Sequence, residues 1–386
     1  MKAKKKILIS GLLGAKGGRE LEAAFIAQTL ENEYDVTLMS TVNVHPDSDV
    51  YAFQFQGHVD SLNMLLYRTN FWIRFTTDLM YAFRKKIRAN HFHVSNRLTR
   101  FLLDIDAIKN RTISNYIKSF DAVIICAQLH SQQMASLVLS AHEEHIPTIF
   151  RTTGSIDLAA VHHPAWLERV THFIHHSDEN ASHLNLLKNH KFAIIDQCAF
   201  QESALLKVPL VTEKATRFLC LGRLDKNKNI DSVIRAFQNL LNQNITLTIV
   251  GSGPENKRLE ELASLDNRIH LKPAIKYADI VQCYSNHDCL IIASRQESGP
   301  LTAIEAMAAG RAVISTKVGA MRERLPGHSY FVDGSARDIA QKMNLLMNLN
   351  TSEVEGISTE MRTIYRERFE RKTIANKYLT LVQSIV

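Results

Sequence analysis

Short apolar runs alternate along the chain with segments of helical length, and this pattern predicts parallel β-sheets covered by helices. In the first half, the predicted strands are residues 6–10, 36–39, 122–126, 148–151 and 172–176. In the second half, they are residues 218–221, 247–250, 268–271, 289–293 and 312–315. The repeated rhythm predicts two α/β domains of similar build.

Both halves open with a strand that runs into a glycine, Gly11 in the first and Gly222 in the second. This arrangement predicts two Rossmann-like units. Between residues 201 and 216, Val208-Pro209-Leu210 interrupts the helical pattern, which favours a domain boundary there. The predicted division is 1–205 for the N-terminal domain, 206–360 for the C-terminal domain and 361–386 for a C-terminal amphipathic helical segment.

The amino-acid composition indicates that the whole chain should fold. Its 386 residues are 45% hydrophobic and 22% charged, with only 15 Gly and 8 Pro, which excludes collagen-like and low-complexity sequence. Five scattered cysteines without a C-x-x-C pair disfavour a disulfide framework or a zinc ribbon and favour the cytoplasm. The apolar run at residues 7–10 is too short for a signal peptide, and polar residues interrupt the longest uncharged segment, 122–142, so we expect no transmembrane helix.

The positive charge is concentrated in one stretch. The net charge is +7, but residues 62–120 alone contain 11 Lys and Arg against three Asp. Aromatic residues are interleaved with these cations, as in Phe71-Trp72 and in Phe83-Arg84-Lys85-Lys86 followed by Arg88. Such a stretch either docks peripherally on an anionic membrane surface or forms soluble helices with their aromatics packed inward. It contains no recognisable nucleic-acid-binding module, so we expect no nucleic acid as a partner.

Residues 294–310 carry the most informative motif. A buried strand should end at Ala293, and Pro300 suits the first position of the following helix. The first amides of that helix, those of Leu301 and Thr302, would then be placed to bind a phosphate. Gly310 suits the left-handed residue that ends the helix.

Two acidic residues flank that predicted phosphate site. Glu297 lies in the loop before the helix and Glu305 in its second turn. Carboxylates accept hydrogen bonds from hydroxyl groups but repel phosphate, so the pair favours a sugar phosphate as ligand. The alternative is that Glu297 is an ordinary capping residue and Glu305 a solvated helix residue.

A second basic motif follows the strand at 218–221. Gly222 is followed by Arg223 and Lys228, two cations placed to hold a diphosphate. Near the N-terminus, Gly17 and Gly18 could let backbone approach a ligand closely, but neither G-x-G-x-x-G nor a P-loop is present, which disfavours NAD and ATP.

Taken together, these motifs resemble those of the family 4 retaining glycosyltransferases of the GT-B fold. The resemblance is sharpest over residues 218–323. It rests on the G-R-L-x-x-x-K residues Arg223 and Lys228, the V-G-x-G-P turn at 250–254, and the E-x7-E pair Glu297 and Glu305. Two segments depart from the family pattern, Ile195-Asp-Gln-Cys-Ala-Phe200 and Ser298-Gly299-Pro300.

The resemblance implies an α/β GT-B enzyme whose two Rossmann-like domains face each other across a cleft, with the C-terminal helix crossing back to the N-terminal domain. The nucleotide sugar would bind the C-terminal domain, and a glycan or lipid-linked acceptor the N-terminal one. UDP is favoured over GDP, and the sugar would be a hexose or an N-acetylhexosamine. A sugar-nucleotide epimerase and a non-catalytic sugar-binding paralogue are the alternatives.

The resemblance also implies roles for individual residues. Arg223 and Lys228 would neutralise the departing diphosphate without a metal, Glu297 would contact the donor sugar, and attack would occur from the front face. The implied donor-binding residues are Gly17, Gly18, Gly222, Gly299, Pro300, Leu301, Thr302 and Glu305. His130 is either a sugar contact or a structural residue at a strand end.

The 17 histidines raise the question of a metal site, above all at His162-His163 and at His172, His175 and His176. Alternation along the predicted strand would place His175 on the face opposite the other two. No H-E-x-x-H is present. We therefore expect neither a metal nor another cofactor.

Overall fold

In the computed structural model, the protein is described over residues 3–84, 90–154, 156–157, 161, 164–188, 190–327 and 330–386. The chain divides into two compact units. The first unit comprises Met1–His175, Ala181–Ile195 and Ala375–Val386, and the second comprises His176–Asn180 and Asp196–Ile374. The division at Ile195 precedes the expected boundary at 205 by about ten residues.

Contacts within the second unit explain that difference. The Glu202 carboxylate accepts hydrogen bonds from the Tyr365 hydroxyl and the Arg371 amide, each at 2.6 Å. The Ala199 amide also donates to the Tyr365 oxygen, at 3.2 Å. Residues 196–205 and 361–371 are therefore tied to each other in the second unit, although the sequence assigns them to other segments.

The first unit is built on a seven-stranded parallel sheet with the strand order β3-β2-β1-β4-β5-β6-β7. In register, Ile7 pairs with Val36 on one side and with Ala122 on the other. The strands are β1 (Lys6–Gly11), β2 (Asp35–Ser40), β3 (His58–Ser61), β4 (Ala122–Ala127), β5 (Thr148–Thr152), β6 (His172–His175) and β7 (Phe192–Ile194). Every residue of β4 is buried, as expected of a central strand covered on both faces.

Helices cover both faces of this sheet and contribute to its core. They are α1 (Gly18–Leu30), α2 (Leu62–Thr69), α3 (Phe71–Arg84), α4 (Arg97–Leu102), α5 (Ile105–Ile117) and α6 (Met134–Glu143). The short helix α7 (Asp178–Ser182) begins in the second unit and ends in the first. One core cluster joins Leu66, Ile73 and Ile113 from the basic stretch to Ile125 and Phe150 of the sheet. The basic stretch is therefore helical and packs part of its apolar surface inward. Lys85, Lys86 and Arg88 lie outside the described residues.

The second unit repeats the parallel architecture with the strand order β10-β9-β8-β11-β12-β13. Its strands are β8 (Arg217–Leu221), β9 (Thr246–Val250), β10 (Ile269–Lys272), β11 (Cys289–Ile292), β12 (Ala312–Thr316) and β13 (Phe331–Val332). Its helices include α8 (Glu202–Leu205), α9 (Ile230–Gln238), α10 (Asn256–Ala263), α11 (Ile280–Ser285), α12 (Leu301–Ala308), α13 (Met321–Arg324) and α14 (Ala336–Asn348).

All ten strands expected from the sequence are confirmed, with ends that differ by no more than one residue. The sequence analysis missed β3, β7 and β13. These strands have four, three and two residues, which is too short for a period of apolar positions to be recognised.

The chain ends in two helices, α15 (Thr351–Arg368) and α16 (Arg371–Ile385). A capping box between Asn350 and Glu353 starts α15, which is why it begins before the expected helical segment. In the last part of α16, Tyr378 is buried against Phe25 of α1, and its hydroxyl donates to Glu22 at 3.1 Å. Among the described residues, none of the helices combines the length and the apolar character needed to cross a bilayer.

Candidate functional site

The loop after β11 leads into helix α12 and forms one side of the candidate site. Pro300 precedes the helix as its N-cap, with φ −59° and ψ 117°, and Leu301 is the first helical residue. The expectation that Pro300 is the first helical residue is therefore wrong, because its extended ψ delays the helix by one residue. Gly310 follows the helix with φ +69°, which confirms the expected left-handed end.

The turn after β8 forms the other side. Gly222 has φ +145°, a conformation that residues with a β-carbon rarely adopt. Asp225 then caps a short 3-10 turn by accepting hydrogen bonds from the amides of Asn227 and Lys228, at 3.0 and 3.3 Å. This turn reverses the chain, so the Lys228 side chain points back toward the strand ends beside Gly222.

These two segments, about 70 residues apart in sequence, are bonded to each other. The Asn227 side chain donates to the Gln296 carbonyl at 2.8 Å and accepts from the Gln296 amide at 3.0 Å. Lys228 forms an ion pair with Glu297, and both side chains are largely buried. Sequence reasoning missed Asn227, because nothing in its local pattern identifies a partner so distant in the chain.

Arg223 and Lys228 line the same small cavity as Gly222, Pro300 and Thr302. Its volume is about 20 Å³, room for about one water molecule. The Arg223 side chain is 73% exposed and lies 3.6 Å from Asp225, so it can move to meet a ligand. Two cations and the start of α12 thus surround one space, a combination that attracts an anion. Gly299 and Leu301 are not among its lining residues.

Glu305 is not solvated, contrary to the alternative considered above. Its side chain is buried in the second turn of α12, and its Oε2 accepts a hydrogen bond from the Tyr284 hydroxyl at 3.1 Å. Burial raises the pKa of Glu305 to about 7, although Tyr277 and Tyr284 offset part of that increase. Among the described residues, Glu305 Oε1 and the Tyr277 hydroxyl have no hydrogen-bond partner of normal geometry.

A buried arginine, which sequence reasoning missed, supports the loop at Pro300. Arg324 of α13 donates to the Pro300 carbonyl at 2.7 Å and pairs with Asp196 at 2.5 and 2.9 Å. Burial alone would raise the pKa of Asp196, but Arg324 and His176 outweigh it and hold that pKa well below its usual range. A β-carbon on Gly299 would lie only 2.6 Å from the Arg324 guanidinium.

This contact joins the two segments that depart from the family pattern. Asp196 belongs to Ile195–Phe200 and Gly299 to Ser298–Pro300, and both touch Arg324. The departures are therefore parts of one buried cluster. An acidic residue at position 196 is the only local signal that could have suggested it.

The remaining candidate residues belong to the first unit. Gly17 is the N-cap of α1, and its amide donates to the Asp49 carboxylate at 2.8 Å. Gly18 is the first residue of α1. Partial burial raises the pKa of Asp49. His130 is exposed in the turn after β4.

In the part of the chain that is described, no group of three or more metal-ligating side chains occurs. His175 is buried on β6 and contacts Thr152 at 2.9 Å and His190 at 3.0 Å. His162 and His163 lie outside the described residues.

With this geometry established, sequence comparison matches part of the chain to a family model. Residues 203–368 match the family model described as Glycosyl transferases group 1. An uncharacterized glycosyltransferase of Methanocaldococcus jannaschii is 31% identical over 117 residues, which are 29% of this chain and 30% of that protein. The chain thus matches about a third of the length of this curated relative.

Comparison with solved structures covers nearly the whole chain. Anabaena HepE, solved in complex with UDP, has a TM-score of 0.74 at 16% identity, covering 98% of this chain and 100% of HepE. Sucrose-phosphate synthase from Thermosynechococcus elongatus has a TM-score of 0.70 at 16% identity, covering 99% of both chains. The protein therefore has the two-domain, parallel α/β architecture of GT-B glycosyltransferases. Residues 203–368, which match the glycosyl transferases group 1 model, lie within its second unit.

Proposed function

We propose that this protein is a retaining, family 4 glycosyltransferase that moves a sugar from a nucleoside diphosphate donor to a hydroxyl group of an acceptor. The observation that carries the proposal is the convergence of Arg223 and Lys228 with Pro300 and Thr302 around one cavity. The match of residues 203–368 to the glycosyl transferases group 1 family supports it.

In this proposal, the diphosphate of the donor occupies the space between the two cations and the first amides of α12. Lys228 exchanges its ion pair with Glu297 for a phosphate oxygen, while the exposed Arg223 side chain closes over the same group. The exchange releases the Glu297 carboxylate, which then accepts hydrogen bonds from hydroxyl groups of the donor sugar. Donor binding and sugar positioning are thus linked through one ion pair.

The chemical step breaks the bond between the anomeric carbon and the diphosphate oxygen. The acceptor oxygen forms the new bond on the same face of the sugar, and its proton passes to the leaving phosphate. Negative charge develops on the diphosphate as the bond breaks, and Arg223, Lys228 and the amides stabilise it. These groups supply the charge neutralisation that a divalent cation provides in other transferases.

Glu305 is proposed to bind the ribose of the donor. Among the described residues, its Oε1 is a buried acceptor with no hydrogen-bond partner of normal geometry, although Tyr277 lies close enough to lower the pKa of Glu305. Such an acceptor is unfavourable unless a donor group reaches it. A ribose hydroxyl supplies such a group. Glu305 would therefore be most fully satisfied when the nucleotide is bound.

The donor is proposed to be a UDP-sugar of the hexose or N-acetylhexosamine type, and HepE, a protein of the same fold, was solved with UDP. The acceptor is proposed to be a glycan or a lipid-linked glycan. A lipid-linked acceptor would place the enzyme at the cytoplasmic face of the membrane as a peripheral protein. The roles predicted for Gly17, Gly18 and His130 stay predictions.

Thermal unfolding with UDP, GDP and their common sugars tests this proposal. A nucleotide at about 100 times its dissociation constant stabilises a protein by about 2.7 kcal/mol. We expect UDP to raise the Tm of the wild type, and Arg223→Ala to weaken that shift. The control is Arg235→Ala, which removes an exposed arginine of α9 in the same unit. If UDP shifts the Tm of Arg223→Ala as much as that of the wild type, the proposal is contradicted. A separate incubation with donor but no acceptor tests the epimerase alternative, which would form an epimer of the donor.

A further inference from the structure

Helix α3 has two apolar faces, of which only one is covered. Ile73 and Thr77 are fully buried, and they attach the helix to the core of the first unit. Phe71, Trp72, Phe75 and Leu79 are instead 40% to 69% exposed. At about 100° per residue, these four side chains fall within a sector about 100° wide on the opposite side of the helix.

Three of the exposed side chains form one cluster. The rings of Phe71 and Trp72 lie 5.4 Å apart, and each lies 6.4 Å from the Phe75 ring. Helix α4 extends the surface with Phe101 and Leu102, which are 86% and 57% exposed. A contact of 2.9 Å between the hydroxyls of Thr76 and Thr99 holds α4 beside α3. We call these six residues the aromatic surface: Phe71, Trp72, Phe75, Leu79, Phe101 and Leu102.

Three exposed arginines lie on the helices that carry the aromatic surface. Arg97 and Arg100 are on α4, and Arg74 of α3 lies 3.9 Å from Asp78. Asp104, the cap of α5, and Asp106 are exposed acids that follow Phe101 and Leu102. Cations beside an apolar stripe are complementary to a surface that is apolar within and negatively charged at its rim.

We propose that the aromatic surface docks on an anionic lipid bilayer, with α3 lying along the membrane plane. The aromatic rings and Leu79 would enter the boundary between head groups and acyl chains, where amphipathic helices bind. The arginines would remain at the level of the lipid phosphates, with their aliphatic parts against the apolar layer. Residues 62–120 contain 11 cationic and three acidic residues, and this net positive charge fits a negatively charged membrane.

This proposal sharpens the two alternatives drawn from the sequence. The segment packs aliphatic side chains inward, because Leu66, Ile73, Val94 and Ile113 belong to the core. The soluble alternative predicts that the aromatics also pack inward, but Phe71, Trp72 and Phe75 are exposed. The segment thus retains a second apolar face that the core does not use. The proposal does not depend on donor chemistry, since no residue of the aromatic surface belongs to the candidate site.

Flotation with vesicles tests the docking surface. The wild type should bind vesicles of phosphatidylcholine mixed with phosphatidylglycerol, and binding should fall as salt increases. The variant Phe71→Ser/Trp72→Ser/Phe75→Ser should lose at least about tenfold in partitioning, since three apolar anchors are removed. Arg97→Gln/Arg100→Gln should weaken binding to the anionic vesicles alone. The matched control, Leu186→Ser, removes an exposed leucine elsewhere in the first unit and should bind like the wild type.

Fluorescence gives a second readout at the surface itself. The chain has two tryptophans, and Trp166 is buried, so a blue shift on adding vesicles should come from Trp72 and disappear in Trp72→Phe. Equal partitioning of the triple variant and the wild type would overturn the proposal. A wild type that does not bind vesicles would also overturn it. So would a wild-type dimer that forms without vesicles and is absent from the triple variant, because this result would indicate self-association. All these variants should keep the UDP-induced shift in Tm, so failure here is distinct from failure of the proposed transferase function.

Discussion

The two units share a parallel α/β architecture, yet the cations of their first glycine-containing turns have different surroundings. In the second unit, Gly222 precedes Arg223 and Lys228, which line a cavity beside the start of α12. In the first unit, the turn carries Lys16 and Arg19, which pair with Asp47 and Glu20, and the Gly17 amide is bonded to Asp49. The same strand-turn-helix unit thus carries cations in both units, but the second unit places them around a cavity beside the start of a helix. The architecture provides the place, and individual side chains decide which ligand it suits.

The units also differ in their exposed apolar residues. In the second unit, the large exposed ones are the separate residues Leu241, Leu265 and Leu345, of the kind found on any protein surface. In the first unit, Phe71, Trp72 and Phe75 of the aromatic surface form one cluster. Isolated exposed leucines need no special explanation, whereas a contiguous aromatic patch indicates a binding surface.

Removing Arg324 tests most strongly whether the second unit depends on its buried cluster. Arg324→Ala leaves Asp196 buried without its main partner, which should lower the free energy of unfolding by about 3–5 kcal/mol. Chemical denaturation measures the change. Arg322→Ala, two residues away on α13, removes only an exposed arginine 3.6 Å from Glu179 and should cost less than about 1 kcal/mol. Equal effects of the two substitutions would show that the cluster does not stabilise the unit.

Removing Lys228 tests the cationic turn of the second unit. Lys228→Ala should lower kcat by about 10²–10³-fold, because one group proposed to stabilise the leaving diphosphate is lost. The rate of UDP release from the donor in the presence of acceptor measures the effect. The control Lys257→Ala, an exposed lysine of α10, should retain full activity. A Lys228→Ala enzyme of normal kcat would refute the contrast between the two turns.

The buried Glu305 predicts a pH dependence of stability. In the folded chain, the Glu305 carboxyl keeps its proton up to about pH 7, whereas the ordinary pKa of a glutamate is 4.5. The folded state therefore binds more protons than the unfolded state between these values, and stability should fall as pH rises through this range. In Glu305→Gln that fall should be smaller, by up to about 3 kcal/mol. Denaturation of the ligand-free protein at several pH values measures it, and the exposed Glu260→Gln should behave like the wild type.

The smallest expected effects concern two glycines of the second unit. Gly222→Ala forces a β-carbon into a left-handed conformation and should destabilise the protein by about 1–2 kcal/mol. Gly356 lies inside α15, and a β-carbon there would meet no atom within 4 Å. Gly356→Ala should therefore stabilise the protein by about 0.5–1 kcal/mol. Thermal unfolding measures the stability of both variants. If Gly222→Ala is as stable as the wild type, the turn does not require glycine for its backbone conformation.

The sequence by itself determined ten of the strands, the two-unit architecture and the two motifs of the second unit. Short apolar runs bounded by turn residues predict buried strands, and the order of the strands and helices then restricts the fold to parallel sheets. Arg223, Lys228, Glu297 and Glu305 were singled out by their places after a strand or near the start of a helix, and by the resemblance of their motifs to those of a known family. The strand predictions need only neighbours along the chain.

Only the tertiary structure decided which of those groups are paired, buried or exposed. The Lys228–Glu297 ion pair, the Arg324–Asp196 cluster and the raised pKa of Glu305 depend on residues that are distant in sequence. The exposed face of α3 is a further example, since periodicity shows that a face is apolar but not whether another element covers it. Local pattern is a property of a segment, whereas burial and partnership are properties of the packed chain.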